Sequence, residues 1–516
     1  QMSIALYFLV AAATAVFAVY LYYLRKSKYW SRRGIPGPPP ALFLGNIRQI
    51  HNFQEPYLLK LWEWTKKYGK VYGYTEGLRN VLVISDMEMI NEVFVKQFDV
   101  FYSRRAVPLS KDVDNDPRVN LFEARGLRWK RLRAVYAPSF SINSIKKMLP
   151  IIEDSAIKMV DLMEGRHGSG ESFNAALFFK ELTLDVICRL VIGQKESKMF
   201  NNSKMEIVEG ILLQDLDKPL THLAACAPEL ARLVRNLQTR FNMHVSNAFT
   251  RFIEIFIEIA GTVKQRVEHR KANGPPEKPA DFIDLFLDNA VDLEYQNTGE
   301  FSTQDTVTRG LTVDEVVSQA VVFLLAGYDT TSNALAYTAW MLSRNPEVMK
   351  RCQEEVDDVC TNPSVSYEDS NNVRYLDAVL REVLRLFPFG TGSVARTCMK
   401  DTTVCGYDIE EGTVVMSDPH AVNMSKELWG EDAEEFRPER WLESDNNIKA
   451  LNFLSFGAGP RLCIGMRLAY TEAKMVLAHL LRRFDVVADE NVPELKLVGS
   501  ITLLPETVPV KIKRRV

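Results

Sequence analysis

Cysteine and histidine are scarce in this chain of 516 residues, seven of each, and neither is spaced to build a site by itself. The cysteines are odd in number and include no C-x-x-C pair. That excludes a disulfide framework and a zinc ribbon, which need paired spacing, and leaves free thiols in a reducing compartment. No two histidines lie three to five residues apart, so no zincin motif exists. A metal would have to arrive in a cofactor of its own. An excess of one charge is also missing: 63 Lys and Arg offset 66 Asp and Glu, a net charge of −3. Nucleic-acid partners usually leave a basic excess, so none is expected. With 26 Gly and 23 Pro the chain is neither collagen-like nor linker-rich. Its 47% hydrophobic and 25% charged residues are globular values, which excludes a disordered protein. No fixed-period repeat and no composition break divides the chain.

Long apolar runs are missing too, with one exception. Ile4 to Leu24 is an uncharged stretch of 21 residues. At about 1.5 Å per residue it spans a hydrocarbon core of roughly 30 Å. Arg25, Lys26, Lys28, Arg32 and Arg33 follow it, so the positive-inside rule keeps the remainder cytosolic. A cleaved signal peptide would have a shorter apolar region and a basic start. An uncleaved anchor is therefore the favoured reading. Gly34 to Pro40 (GIPGPPP) is stiffened by proline and reads as a semi-rigid spacer. The expected organisation is an anchor over 1–24, a basic and Pro-rich linker over 25–40, and one body over 41–516. The sequons at Asn201 and Asn423 would go unused on a cytosolic body.

The body reads as mainly α. Helical periodicity runs over 54–69, 128–136, 144–164, 174–193, 229–271, 312–345, 346–360, 373–386 and 466–484. Short β-rich runs lie at 71–75, 80–84, 403–407, 413–416 and 502–514. The stretches 274–279 and 293–309 read as polar loops.

Four constellations carry chemistry. Phe456-Gly-Ala-Gly-Pro-Arg461-Leu-Cys463-Ile-Gly465 precedes a helical pattern from Met466. Its glycines let a tight loop pass close to a ligand plane. Cys463 sits at a helix mouth, where N–H groups and the dipole favour a thiolate, and Arg461 offers a planar fork to a carboxylate. The competing readings are a small buried hydrophobe in a Gly-rich turn, or a nucleotide loop. The latter fails because Leu462 replaces the third glycine of G-x-G-x-x-G. Second, Glu382 and Arg385 share a helix face at i,i+3, a pairing common on surfaces, with Phe436-Arg-Pro-Glu-Arg440-Trp441 downstream. Third, Ala326-Gly-Tyr-Asp329-Thr330-Thr331 interrupts a strongly apolar helix. An acid, hydroxyls and a glycine there are poor for stability; they either open a groove for a small molecule or are a tolerated Gly beside a surface Asp. Fourth, Trp129 and Arg133 are i,i+4 on one face, either a binding pair or part of a solvated basic face.

In order and spacing these segments closely resemble the cytochromes P-450. The Cys463 segment fits the haem-loop pattern F-x-x-G-x-R-x-C-x-G at every fixed position, 326–330 looks like A-G-x-D-T, and 129–133 fits W-x-x-x-R. The resemblance runs from the Pro-rich spacer to the C-terminus. Local features such as WKRLRAVYAPSFS and FRPERW look like the animal microsomal clan of the family 3 enzymes and thromboxane synthase. A departure lies between Pro388 and Arg396, one residue longer than in family 3 and carrying Gly390 and Gly392. That loop should overhang the distal pocket, so the substrate does not transfer by analogy.

The resemblance implies a single large, mainly α catalytic domain with small sheets. It implies heme b (iron protoporphyrin IX) with Cys463 as axial thiolate, a ligand that favours O–O cleavage. Trp129, Arg133, Arg396, Arg461, Arg104, Phe456 and Ala326 would contact the haem. Asp329 and Thr330 would be the catalytic acid–alcohol pair that delivers protons. Glu382, Arg385 and Arg440 would form a structural triad. By position, Leu121, Phe122, Phe323, Thr331, Phe389, Val394 and Ile501 would line the substrate pocket. The implied activity is monooxygenation of a lipophilic small molecule, a xenobiotic, steroid or fatty-acid-like compound. Electrons would come from NADPH through NADPH–cytochrome P-450 reductase, with cytochrome b5 as a further candidate partner, on the cytosolic side of the endoplasmic reticulum membrane. Lys130 and Arg131 are candidates for reductase docking. The alternatives are a haem-thiolate isomerase of a lipid peroxide and a non-enzymatic haem sensor or lipid carrier; the intact Asp329–Thr330 pair favours the monooxygenase.

Overall fold

The computed structural model describes residues 4–106, 112–167, 170–213, 217–245, 247–277, 281–290, 299–307, 309–390, 394–443, 448–500 and 502–515. The uncharged N-terminal run forms helix α1 (Ile4–Ser27), three residues longer than the apolar stretch itself. Its side chains from Leu6 to Tyr22 are exposed, and Leu6–Ser27 is long and apolar enough to cross a membrane. One residue, Lys28, separates it from the short helix α2 (Tyr29–Arg32). Tyr29, Trp30 and Ile35 are buried in the body's core. The Trp30 indole donates to Tyr74 O at 2.8 Å, and Gly73 N donates to Pro36 O at 2.8 Å. The segment 25–40 therefore lies packed on the body.

The body is helical with four small sheets. The helices that matter for the site are α3 (Gly126–Tyr136), α4 (Ile142–His167), α5 (Ala175–Ile192), α6 (Met205–Leu212), α7 (Val313–Arg344), α8 (Arg374–Leu386) and α9 (Met466–Arg483). The largest sheet joins β1 (Val71–Glu76), β2 (Arg79–Ile84), β3 (Ala395–Thr397) and β4 (Val414–Ser417) in the order β1-β2-β4-β3. Its β2–β4 pair is parallel and its other pairs antiparallel.

Helix α7, 32 residues long, is the spine. A capping box starts it: Glu315 N donates to Thr312 Oγ1 at 3.2 Å, and Thr312 N donates to Glu315 Oε2 at 3.1 Å. It packs most extensively on α5. The two approach closely because Gly327 has no side chain; a Cβ there would lie 2.7 Å from Ile187 Cδ1. This corrects the expectation of a ligand groove at that glycine: the room it leaves is filled by Ile187.

Helical periodicity located the long helices to within a few residues, and the short strands were less legible. The run 403–407 is a hairpin, Thr402–Val404 against Tyr407–Ile409, turning at Cys405 and Gly406 with positive φ. Phe484, read as the end of the 466–484 helix, instead begins a strand, Phe484–Ala488, paired with Pro509–Arg514. The single helix expected over 229–271 is described as Ala231–Val245 and Asn247–Asn273. All seven cysteines are free thiols. Asn423 is buried, and its side-chain amide donates to Arg385 O at 3.0 Å, so a glycan has no access to that sequon in the folded chain.

Candidate active site

The Cys463 loop ends at α9. Gly459 has φ +67°, and a Cβ there would meet Phe94 O at 1.9 Å, so this position needs glycine both for its backbone angle and for the close approach of another chain segment. Cys463 N donates to Phe456 O at 3.0 Å, closing the loop. The thiol is accessible although densely surrounded, as befits a group facing an internal cleft. Burial pushes its pKa up; the Gly465 and Met466 N–H groups at the start of α9, together with Arg104 and Arg133, pull it down. The helix mouth read from sequence is therefore present, and here desolvation outweighs it.

Four arginines converge on this cleft from four segments. Arg461 donates from Nε to Tyr102 O at 2.8 Å and from Nη2 to Ala124 O at 2.5 Å, and its guanidinium carbon lies 4.7 Å from the centre of a Trp129 ring. Arg104 donates to Phe122 O and Arg461 O, each at 3.2 Å. Arg396 on β3 donates to Ala458 O at 3.2 Å. Arg133 on α3 is half-buried. Burial and the mutual repulsion of these guanidiniums drive Arg461 well below its ordinary value; burial and Arg104 do the same to Arg396. Arg104 falls to about 10, mainly through burial. Buried Arg104 Nε and Arg461 Nη1 have no hydrogen-bond partner. Among the described residues no carboxylate pairs with Arg104, Arg133 or Arg461. A site that concentrates positive charge in this way is built to be completed by an anion.

The second set of candidate residues lies on α7. Ala326 is exposed in the middle of a helix otherwise mostly buried, so its face is open. Thr330, one turn on, donates its hydroxyl to Ala326 O at 2.7 Å. Asp329 is buried, and burial raises its pKa. It accepts from Thr502 Oγ1 at 2.6 Å and from Asn333 Nδ2 at 3.2 Å. Neither partner belongs to the motifs read from sequence. Asn333 is i+4 from Asp329 and could have been found by helical spacing; Thr502, 173 residues away, left no local signal.

Glu382, Arg385 and Arg440 meet in a fully buried cluster. Glu382 accepts from Arg385 Nε (2.9 Å) and Nη2 (2.8 Å), Arg440 Nε (2.8 Å), Trp441 Nε1 (2.9 Å) and Arg437 N (3.1 Å). The last two were not singled out from the sequence, although they stand within the FRPERW segment.

The pocket candidates fare unevenly. Phe122 is 44% exposed, whereas Leu121, Thr331, Phe389 and Val394 are buried. Phe323 is a correction: it lies in an aromatic cluster with Tyr136, Phe140, Phe282 and Phe286, so its ring fills core between helices. Ile501 lies outside the described residues. Arg131 and Lys130 are corrections as docking candidates. Arg131 is buried and donates to Glu315 and to Gly310 O. Lys130 donates to the carbonyls of Ser302, Thr303 and Asp305 at 2.7–3.0 Å.

The family model described as cytochrome P-450 matches residues 35–513. Similar curated proteins include two from Caenorhabditis elegans that bear cytochrome P-450 names. CYP13A10 is 40% identical over 520 residues, covering 98% of this chain and 99% of that protein. The protein named cyp-13B1 is 41% identical over 503 residues, covering 95% and 96%.

Proposed function

The chain belongs to the cytochrome P-450 family and is a haem-thiolate monooxygenase, and on that premise we propose that it oxygenates a lipophilic small molecule at a membrane, drawing electrons from NADPH through a reductase. The observation that carries the reading is the set of arginines around the cleft-facing Cys463 thiol. The residues fit haem: an iron needs the soft sulfur ligand, and two propionates need cationic donors such as Arg104 and Arg461, whose buried N–H groups lack partners. Haem, when bound, supplies the activation of dioxygen and the transfer of one oxygen atom to a C–H bond.

The chain supplies the rest. Cys463 Sγ is the proposed ligand, held by its loop and favoured as thiolate by the Gly465 and Met466 N–H groups and by Arg104 and Arg133. Arg104, Arg133, Arg396 and Arg461, with Trp129, hold the propionates. Phe456 opens the thiolate loop and packs against Tyr470, and the small, exposed Ala326 would leave room for the group. Asp329, whose proton affinity burial raises, takes up a proton at its carboxyl. The Thr330 hydroxyl, beside it in sequence, carries protons onward to the cleft. Glu382, Arg385 and Arg440 keep the segments beneath the loop in place. Phe122 and the buried Leu121, Thr331, Phe389 and Val394 are the side chains that would line the substrate pocket. The exposed apolar helix α1 supports single-pass anchoring, with the basic residues after it favouring a cytosolic body at the endoplasmic reticulum. Reductase docking on a basic face near Cys463 must use side chains other than Lys130 and Arg131.

The test is the carbon monoxide difference spectrum of the reduced protein. A red-shifted Soret band is expected, lost in Cys463→Ala. With a reductase present, NADPH consumption that depends on an added lipophilic compound supports monooxygenation; turnover of a lipid peroxide without NADPH would favour an isomerase instead. Haem bound without the red-shifted band would overturn the proposed ligation.

A further inference from the structure

Asp329 is the acid of the proposed pair, yet in this structure its carboxyl does not touch Thr330. Oδ2 accepts from Thr502 Oγ1 at 2.6 Å, and Oδ1 from Asn333 Nδ2 at 3.2 Å, while the Thr330 hydroxyl is given to Ala326 O. The stronger of the two donors comes from a different part of the chain. Thr502 lies close against Gly499, whose φ of +122° and absent side chain are both required, because a Cβ would lie 2.1 Å from Thr502 O. Thr502 and Leu503 are fastened to the Phe389–Gly390 segment. Thr502 bridges Gly390, and Leu503 N donates to Phe389 O at 3.2 Å. Leu503 O in turn accepts from the Tyr337 hydroxyl, on α7, at 3.1 Å.

We infer that Thr502 is a positioning residue for proton delivery: its hydroxyl fixes the Asp329 carboxyl and ties it to the Phe389–Gly390 segment. The inference rests on the assignment of Asp329 and Thr330 as the proton-delivering pair. A hydrogen bond between a hydroxyl and a carboxylate is short and strong, and it favours the ionised acid. Here it is the largest influence opposing burial at Asp329. The other groups facing the carboxyl are few. Lys180 from α5 lowers its proton affinity and Glu209 from α6 raises it. These two pair with each other at 2.6 Å, so their fields largely cancel. Tyr328 and Tyr337 are near enough to feel the Asp329 charge; burial holds both phenols neutral. That leaves Thr502 and Asn333 to set the carboxyl's orientation, and Thr502 alone to link it with the segment that a substrate would press. Displacement of the 389–390 segment would thus be transmitted to the acid through one hydrogen bond.

The test compares full-length haem-loaded wild type with Thr502→Val, which removes the hydroxyl at nearly constant shape, and Thr502→Ser, which keeps it. In Thr502→Val the kcat for product should fall on the order of tenfold, less than the roughly 10²–10⁴ that a general acid itself contributes. KM should change little, and the pH midpoint belonging to Asp329 should move upward. Thr502→Ser should restore both. A second readout needs no turnover. The infrared band of the protonated Asp329 carboxyl, identified by its loss in Asp329→Asn, should titrate at higher pH in Thr502→Val. Should the valine variant not fold, Thr502→Ala removes the same hydroxyl without a branched side chain. An unchanged pH midpoint and an unchanged infrared titration in the folded variant overturn the role of Thr502. Full turnover in Asp329→Asn overturns instead the acid–alcohol reading on which it rests, so the two failures are distinguishable.

Discussion

Arg131 grips Glu315 with both ends of its guanidinium, Nη2 to Oε1 at 2.6 Å and Nη1 to Oε2 at 2.9 Å, and the pair is buried between α3 and the first turn of α7. Arg128 adds a third bond at 3.2 Å. Glu315→Gln should therefore cost about 3–5 kcal/mol, since it leaves two cations facing a neutral amide. The glutamine still completes the capping box, so the loss reports the ion pair and not the helix start. Urea unfolding of the two proteins measures it.

Arg440 should tolerate lysine badly. Its fork reaches Glu382 at 2.8 Å, Trp429 O at 3.0 Å and Asp432 O at 2.9 Å at once. One ammonium cannot serve three such positions, and each buried carbonyl left unpaired costs about 1–3 kcal/mol. Arg440→Lys is expected to lower the urea midpoint and to release haem at lower urea than wild type, read by absorbance alongside circular dichroism.

The two constraints on Gly459 can be separated by a control. Gly459→Ala meets both a left-handed backbone and a carbonyl oxygen, whereas Gly274, φ +78°, has open space where its side chain would be. Gly274→Ala should lose about 1 kcal/mol from the backbone angle alone. Gly459→Ala should lose clearly more and reduce haem incorporation, because the loop that carries Cys463 must shift away from Phe94. Thermal unfolding and haem stoichiometry compare them.

A pH dependence follows from Asp418. Burial raises its pKa to about 6, against the Thr65 hydroxyl and the N–H groups of Ala421 and His420, which pull it down. A carboxyl raised in the folded state stabilises below its unfolded value and loses that contribution as pH rises through the folded value. Asp418→Asn should therefore be more stable than wild type at pH 8, by about 3 kcal/mol. The advantage should shrink through pH 6 and vanish below about pH 4. Urea midpoints of both proteins across this range would show a pH-independent difference if the shift were not there.

What the sequence revealed of the site was mostly what the chain holds close together. The Cys463 loop is contiguous, Glu382 and Arg385 are one turn apart, and Trp129 and Arg133 likewise. Helices of 18 residues or more repeat their apolar face often enough to be read from periodicity. Three-residue strands such as Ala395–Thr397 do not repeat at all, and Phe484–Ala488 follows α9 without a break in hydrophobicity. Thr502 reaches Asp329 from a position fixed by its close approach to Gly499 and its bridge to Gly390, and no local pattern encodes that meeting. Phe323 was misjudged for a related reason. An apolar residue on α7 can face the cleft or the core, and the aromatic rings that claim it come from three other segments.

The single residue between α1 and α2 has a mechanical consequence. A free linker of the sixteen residues 25–40 would let the body wander over about 20 Å, at about 5–6 Å per square root of residue number. Here Tyr29 and Trp30 are already rooted in the core, so the leash has almost no length. The inclination of the helix becomes the inclination of the cleft, as a stem sets the angle of a cup. With α1 anchored as proposed, a partner in the same membrane would meet a docking face at constant height, and lateral diffusion would replace a three-dimensional search.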